Sequence, residues 1–186
     1  MNASYAPNLS HCGIFCRDLG LMKSFYCGVF DLLETDRGHG VTFKFEIIFL
    51  SGRGDQHHQL VLAGGRGDDS PSTVMQLSFK VQTLDHLREA RRRALALGAT
   101  GMRGLNHGNA ISIYCMDPEE NTIEVYLDTP WYVSQPHGDP LDLDRPDEEL
   151  WAETERIVRS DPSFMPASEW SGQFAQRSAA LKKELP

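Results

Sequence analysis

No apolar stretch in this chain approaches the roughly 18 residues a membrane-spanning helix needs. Nor is there a run of lysine or arginine of the kind that marks a nucleic-acid surface. Eighteen basic side chains face 26 acidic ones, for a formal net charge of -8. The one basic cluster, Arg91-Arg92-Arg93, falls inside a helical pattern and reads as a solvated helix face. The acidic balance disfavours nucleic acid and anionic membrane as partners. Met1-Asn2-Ala3-Ser4 leads into polar sequence without a basic or apolar leader segment, so no signal peptide is expected. Cysteine is scarce. Cys12, Cys16, Cys27 and Cys115 are the four, and no second pair completes the C-x-x-x-C spacing of Cys12 and Cys16. They read as buried, reduced thiols of a cytoplasmic protein rather than as a disulfide or zinc framework.

What the chain does have is an ordinary globular composition, 40% apolar and 24% charged over 186 residues. That suffices for one domain or for two small modules sharing a core. Asn8–Arg17 predicts a strand, and Asp18 stands where a helix N-cap belongs. Leu19, Met22, Phe25, Tyr26, Val29 and Phe30 follow at helical spacing. Three strand-like pieces come next, Leu32–Asp36, Val41–Leu50 and His57–Ala63, with turn signals at Arg37–Gly40 and Ser51–Asp55. After a polar linker, Gly64–Pro71, the order begins again. Val74–Val81 predicts a strand and Asp85–Leu97 a helix stopped by Gly98. Three further strands are predicted at Gly101–Leu105, Ala110–Met116 and Thr122–Leu127.

The expected fold is therefore α+β: two tandem βαβββ modules, residues 8–65 and 72–130, building an open, curved eight-stranded sheet around a metal cleft. The repeat is one of pattern, with His11–Asp18 superposing on Gln76–Thr83, and residue identity between the halves is slight. Residues 131–186 read differently, as an extended arm through Pro130-Trp131-Tyr132 and Gln135-Pro136-His137 followed by amphipathic helices at Asp147–Arg159 and Pro166–Lys183. Trp151 and Trp170 are the expected packing anchors, and the Trp-bearing arm suggests a homodimer. A lid is the other use such an arm could have. Two Arg-Gly-Asp triplets, at Arg53 and Arg66, read as plain turns.

Equivalent strands of two such modules bring four positions into consideration: His11, His58, Gln76 and Glu124. Two imidazoles and a carboxylate among them suit a borderline divalent metal. Each position lies in an apolar strand context, where a charge such as that of Glu124 is costly unless paired or metal-bound.

Leu9-Ser10-His11, Phe25-Tyr26, His57-His58-Gln59-Leu60, Asp117-Pro118-Glu119-Glu120-Asn121 and Ile123-Glu124 resemble the vicinal oxygen chelate superfamily, over about residues 8–130. That group includes glyoxalase I, bleomycin-resistance proteins and type I extradiol dioxygenases. The catalytic half of the dioxygenases is the part most similar. The resemblance implies Fe(II) held by two His and one Glu, with His11 and Glu124 as two of the three ligands. It implies an acid/base role for His58 at the oxygen pocket, and a substrate-oxygen contact for Tyr114, ten residues before Glu124. Two positions depart from that pattern. Gln76 stands where the second metal His belongs, and Asn109 where a pocket His belongs, with His107 as its substitute.

Three functions follow from this set. One is extradiol ring cleavage of a catechol-type aromatic, with His58, Tyr114 and His107 catalytic. The second is a glyoxalase-type lyase, isomerase or epimerase using all four of His11, His58, Gln76 and Glu124 around Zn, Ni or Mn. The third is a binding module without chemistry, which the retained ligand residues disfavour. The arm residue His137 stands outside the expected site.

Overall fold

A computed structural model describes residues 7–42 and 44–184. The residues Met1–Ser4, in which no leader was read, lie outside them, as does Phe43 of the predicted strand Val41–Leu50. The first module forms as β1 (Cys12–Cys16), α1 (Leu19–Phe30), β2 (Leu33–His39), β3 (Glu46–Ser51) and β4 (Leu60–Gly64). The second forms as β5 (Leu77–Lys80), α2 (Leu84–Ala96), β6 (Thr100–Asn106), β7 (Ala110–Met116) and β8 (Thr122–Asp128). Cys12 and Leu77 open β1 and β5, and Leu19 and Leu84 open α1 and α2; both pairs stand 65 residues apart, as the pattern repeat requires.

Hydrogen bonding divides the eight strands between two sheets of the same order. The first runs β1-β4-β3-β2. The second carries β6-β7-β8-β5 and, after the short β9 (Trp131–Tyr132), gains a fifth edge strand, β10 (Asp139–Leu141), beside β6. In each sheet the first and last strands of the module are the parallel pair, with Cys12 opposite Leu60 and Leu77 opposite Ile123.

The chain forms two compact units. The first comprises Met1–Met75, Arg93–Thr100 and Met116–Thr122, and the second Gln76–Arg92, Gly101–Cys115 and Ile123–Pro186. In the first, Asp18 caps α1 by accepting the backbone N–H of Leu21 at 2.9 Å. Met22, Phe25, Tyr26 and Val29 of that helix are buried with Ile48, Leu50, Leu60 and Leu62 of the sheet. Each such side chain contributes about 1.5–3 kcal/mol by leaving water.

The turn Asp117–Asn121 belongs to this same unit and ties it together. Asp117 accepts the N–H groups of Glu119 and Asn121, both at 2.9 Å, and the Tyr26 hydroxyl at 2.7 Å. Glu119 accepts the backbone N–H groups of Arg17 and Asp18 at 2.8 and 2.7 Å, and its side chain is buried beside that of Arg66. The second Arg-Gly-Asp triplet is therefore not a plain turn, because its arginine lies in the interior. Burial and the nearby Glu119 and Asp117 carboxylates push the Cys16 thiol up to about 12.

In the second unit, Leu84, Leu87 and Ala90 of α2 are buried, as are Ile111, Ile113, Ile123 and Val125 of the central strands. The arm joins this unit. Trp131 packs edge-on against Trp151 at 6.3 Å, and Tyr132 stacks on Trp170 at 5.4 Å. Both tryptophans lie on the arm's helices, α3 (Asp147–Ser160) and α4 (Ala167–Glu184), so the predicted anchors hold them. No helix of the described residues is long and apolar enough to cross a membrane.

Several sequence expectations need correction. The apolar run from Val41 does not form one strand. Gly40 donates to the Phe45 carbonyl at 2.8 Å and Lys44 takes a left-handed φ of 56°, so Val41, Thr42 and Lys44 lie between β2 and β3 rather than in a strand. Correspondingly β2 continues through the expected turn to His39. Of the thiols, Cys16 and Cys115 are buried, but Cys12 is exposed and Cys27 half-buried. The basic cluster is not simply solvated, since Arg91 pairs with Asp144 and Arg93 with Asp31.

Candidate metal centre

In the second unit, Glu124 occupies β8 opposite Ser78 of the parallel strand β5. Its side chain is buried, and four neutral donors fill both oxygens. Ser112 and Tyr114 donate to Oε1 at 3.0 and 2.6 Å; Ser78 and Gln76 donate to Oε2 at 2.7 and 2.9 Å. Ser112 and Tyr114 stand two apart on β7, which puts them on one face of the sheet. Gln76 precedes β5 and also donates to the Ser78 hydroxyl at 2.9 Å. Both contacts use the amide nitrogen, and the amide oxygen takes part in neither.

No lysine or arginine pairs with Glu124 among the described residues; the nearest cationic candidate is His107, with Nε2 3.9 Å from Oε1. A carboxylate withdrawn from water and met only by neutral donors is costly as a charge unless it is paired or metal-bound. His107 also holds Tyr114, its Nε2 lying 3.1 Å from the phenol oxygen. Its Nδ1–H donates to the His137 backbone carbonyl at 2.6 Å. The arm thus reaches this cluster through the main chain of His137. Burial, followed by the Glu124 hydrogen bond and charge, pushes the Tyr114 phenol well up; the Arg103 guanidinium, 5.3 Å over its ring, opposes that shift.

In the first unit, His11 stands one residue before β1 and His58 two before β4. The bond from the Cys12 N–H to the Gln59 carbonyl, at 3.2 Å, ties those two approaches together. The rings of His11 and His58 lie 4.2 Å apart between centroids. These two histidines are not in the apolar strand context expected of them: His11 is exposed, and His58 lies half-buried in the loop. Burial, then the charges of His11 and His57, lowers the His58 pKa. His57 lies between His58 and Asp36, with ring nitrogens 2.9 Å from His58 Nδ1 and 2.8 Å from an Asp36 carboxylate oxygen.

Residues 8–125 match the sequence model of the Glyoxalase/Bleomycin resistance protein/Dioxygenase superfamily. The chain belongs to that superfamily. Biphenyl-2,3-diol 1,2-dioxygenase 2 of Rhodococcus globerulus is 26% identical over 127 residues, which are 66% of this chain and 63% of the relative. The chain therefore spans just under two thirds of that relative's length. The fosfomycin resistance protein FosX of Mesorhizobium loti is 27% identical, with a TM-score of 0.52 over 67% of this chain and 94% of its own. FosX of Listeria monocytogenes, crystallised with Mn(II) and sulfate, shares the fold at 21% identity and a TM-score of 0.52, over 67% of this chain and 95% of its own.

As a superfamily member, the chain divides its four expected ligands into two pairs, His11 with His58 and Gln76 with Glu124, each at one parallel strand pair. Among the described residues no group of three or more His, Cys, Asp or Glu side chains is gathered for a metal. Each pair taken by itself, two imidazoles in one and a carboxylate with an amide in the other, has donor chemistry of the kind a borderline divalent cation takes. A buried carboxylate with no lysine or arginine beside it among the described residues fits such a cation too. Sequence reasoning missed Ser78 and Ser112. Their positions two residues from Gln76 and Tyr114 were the available signal, since alternate strand residues share a face. It also missed Asp36 and His57, for which no linear spacing speaks.

Proposed function

We propose that this protein is a metal-dependent enzyme acting on a small catechol-type aromatic by extradiol ring cleavage, with Fe(II) as its metal. His11, Gln76 and Glu124 are its ligands in this reading, and His58 is the acid/base group beside them. The observation that carries the reading is the Tyr114–Glu124 bond at 2.6 Å, which sets a phenol beside a buried carboxylate. When bound, the metal supplies Lewis acidity that lowers the pKa of a coordinated hydroxyl. Tyr114 hydrogen-bonds a substrate oxygen, and His107 fixes the phenol from its other side. His58 accepts the proton released by the substrate hydroxyl, because imidazole titrates near neutrality. The 26% identity to a biphenyl-diol dioxygenase supports the aromatic diol as substrate class.

The test is oxygen uptake with simple catechols after anaerobic loading with Fe(II). A yellow ring-fission product is expected, together with loss of iron in His11→Ala and Glu124→Ala. Absence of any product across a panel of catechols, with iron fully loaded, sinks the reading.

A second reading is favoured by the Gln76–Glu124 contact. Here Gln76 and His58 are both ligands, the metal is Zn, Ni or Mn, and the reaction is a glyoxalase-type isomerisation, epimerisation or lyase step. Glu124 would then take a proton beside a metal-bound carbonyl. Full turnover with a redox-inert metal selects this reading over the first.

A further inference from the structure

Strand β2 carries an irregularity that decides what faces His57. Leu33 and Glu34 pair with Ser51 and Leu50 of β3, but the register then shifts so that Asp36, not Thr35, pairs with Phe49. Thr35 is the extra residue, and its hydroxyl donates to the Phe49 carbonyl at 3.2 Å. Bulges of this kind re-aim side chains. In an unbroken register Asp36 would fall opposite Ile48, whose side chain is buried. With the bulge it shares the face of Phe49, whose ring lies 5.7 Å from His57 and 5.1 Å from His58.

The result is a chain of three groups, each within hydrogen-bond reach of the next. Asp36 Oδ2 lies 2.8 Å from His57 Nε2, and His57 Nδ1 lies 2.9 Å from His58 Nδ1. A carboxylate only accepts, so His57 Nε2 carries the hydrogen. In a neutral His57 ring Nδ1 is then the acceptor, and His58 must donate from its own Nδ1. That leaves the lone pair of His58 on Nε2. Histidines that bind metals commonly have their second nitrogen held in this way, which fixes both ring orientation and tautomer.

We propose that Asp36 and His57 are positioning residues that hold His58 as the Nδ1–H tautomer, keeping its Nε2 lone pair available to a metal or a proton. The proposal rests on the reading that His58 belongs to the functional site. Neither residue is assigned any role by that reading.

The experiment uses the full chain with 15N-labelled histidine and reads the tautomer of His58 from long-range 1H–15N correlations in the metal-free protein. The wild type is expected to show Nδ1–H. Asp36→Asn and His57→Phe are expected to shift His58 towards the Nε2–H form, and Asp36→Glu to restore it. Mn(II) affinity, measured by chelator competition, is expected to fall roughly tenfold in the first two variants, the low end of such outer contacts because both residues are exposed. An Nε2–H tautomer in the wild type overturns the proposal, as does a tautomer unchanged in both variants. His58→Ala separates the two ideas. If it keeps full metal content and turnover, the functional reading of His58 fails while the tautomer result stands. If it loses metal but the two variants leave the tautomer unmoved, the relay fails and the site reading stands.

Discussion

Tyr26 shows how much one side chain can connect. It lies on α1, fully buried, and its hydroxyl donates to Asp117 ninety-one residues away. Burial and the Asp117 carboxylate hold its pKa well above the ordinary 10.0. The folded phenol therefore keeps its proton where the unfolded one loses it. Its stabilisation is fully present below about pH 10 and is lost as pH rises towards the folded value. Tyr26→Phe is expected to cost about 1.5–3 kcal/mol near neutrality, as for a hydrogen bond to a charged group. Urea unfolding of both proteins at neutral and at strongly alkaline pH checks this, since the difference between them should shrink at high pH. Legibility at this scale followed residue type. His11 and Glu124 stand out because imidazole and carboxylate are uncommon in strand-like surroundings. Ser78 and Ser112 do not, because a serine on an alternating strand looks like any solvent-facing polar residue. Asp36 was hidden for another reason: an inserted residue at Thr35 reverses the facing that period-2 counting assigns.

Among the elements, β10 depends on a contact that only glycine permits. Gly104 of β6 pairs with Leu141, and a Cβ built at Gly104 would run into the Leu141 carbonyl oxygen. Backbone cannot swing aside as a flexible side chain can. Gly104→Ala is expected to lift β10 from the sheet edge and cost about 1–3 kcal/mol, the range of overpacking. Faster limited proteolysis within residues 133–146, with the rest of the chain resistant, is the outcome to look for. Helices were the most legible elements, since a cap at Asp18 and a glycine stop at Gly98 bracket clear apolar periodicities. Strand limits were less so. The run from Val41 to Leu50 has apolar residues at alternate positions and then four in succession, yet Val41 is 98% exposed, because the chain must turn there to pair β2 with β3. Apolar content marks burial, and an apolar residue set at a turn, such as Val41, defeats it. The fifth strand of the second sheet was unreadable from Asp139-Pro140-Leu141 alone, because its pairing is decided by β6.

At the scale of the whole molecule, the tandem pattern was legible because both halves repeat one order of elements at one spacing. Occupancy of a metal site in the folded state alone should stabilise the entire chain, by about 2.7 kcal/mol at a hundredfold excess over Kd. Saturating Mn(II) is thus expected to raise the Tm of the wild type and to leave Glu124→Gln nearly unmoved, as scanning calorimetry would show. An equal rise in both proteins would place the bound metal elsewhere and remove Glu124 from the ligand set. The acidic net charge of -8 makes weak, diffuse cation binding the background against which that difference is measured.

The turn Asp117–Asn121 has one more consequence, for anyone wishing to cut this protein in two. The visible duplication invites a break in the linker Gly64–Pro71. Yet the first compact unit takes Met116–Thr122 from the far half of the chain. A fragment ending there would leave Tyr26 without its acceptor, Arg66 without Glu119, and the start of α1 without the carboxylate that holds it. The two halves are siblings in pattern but interlocked in substance. Gene-splitting, fragment complementation or grafting of one half onto another scaffold must carry that seven-residue piece along, together with Arg93–Thr100 of the same unit, or supply both from the other half.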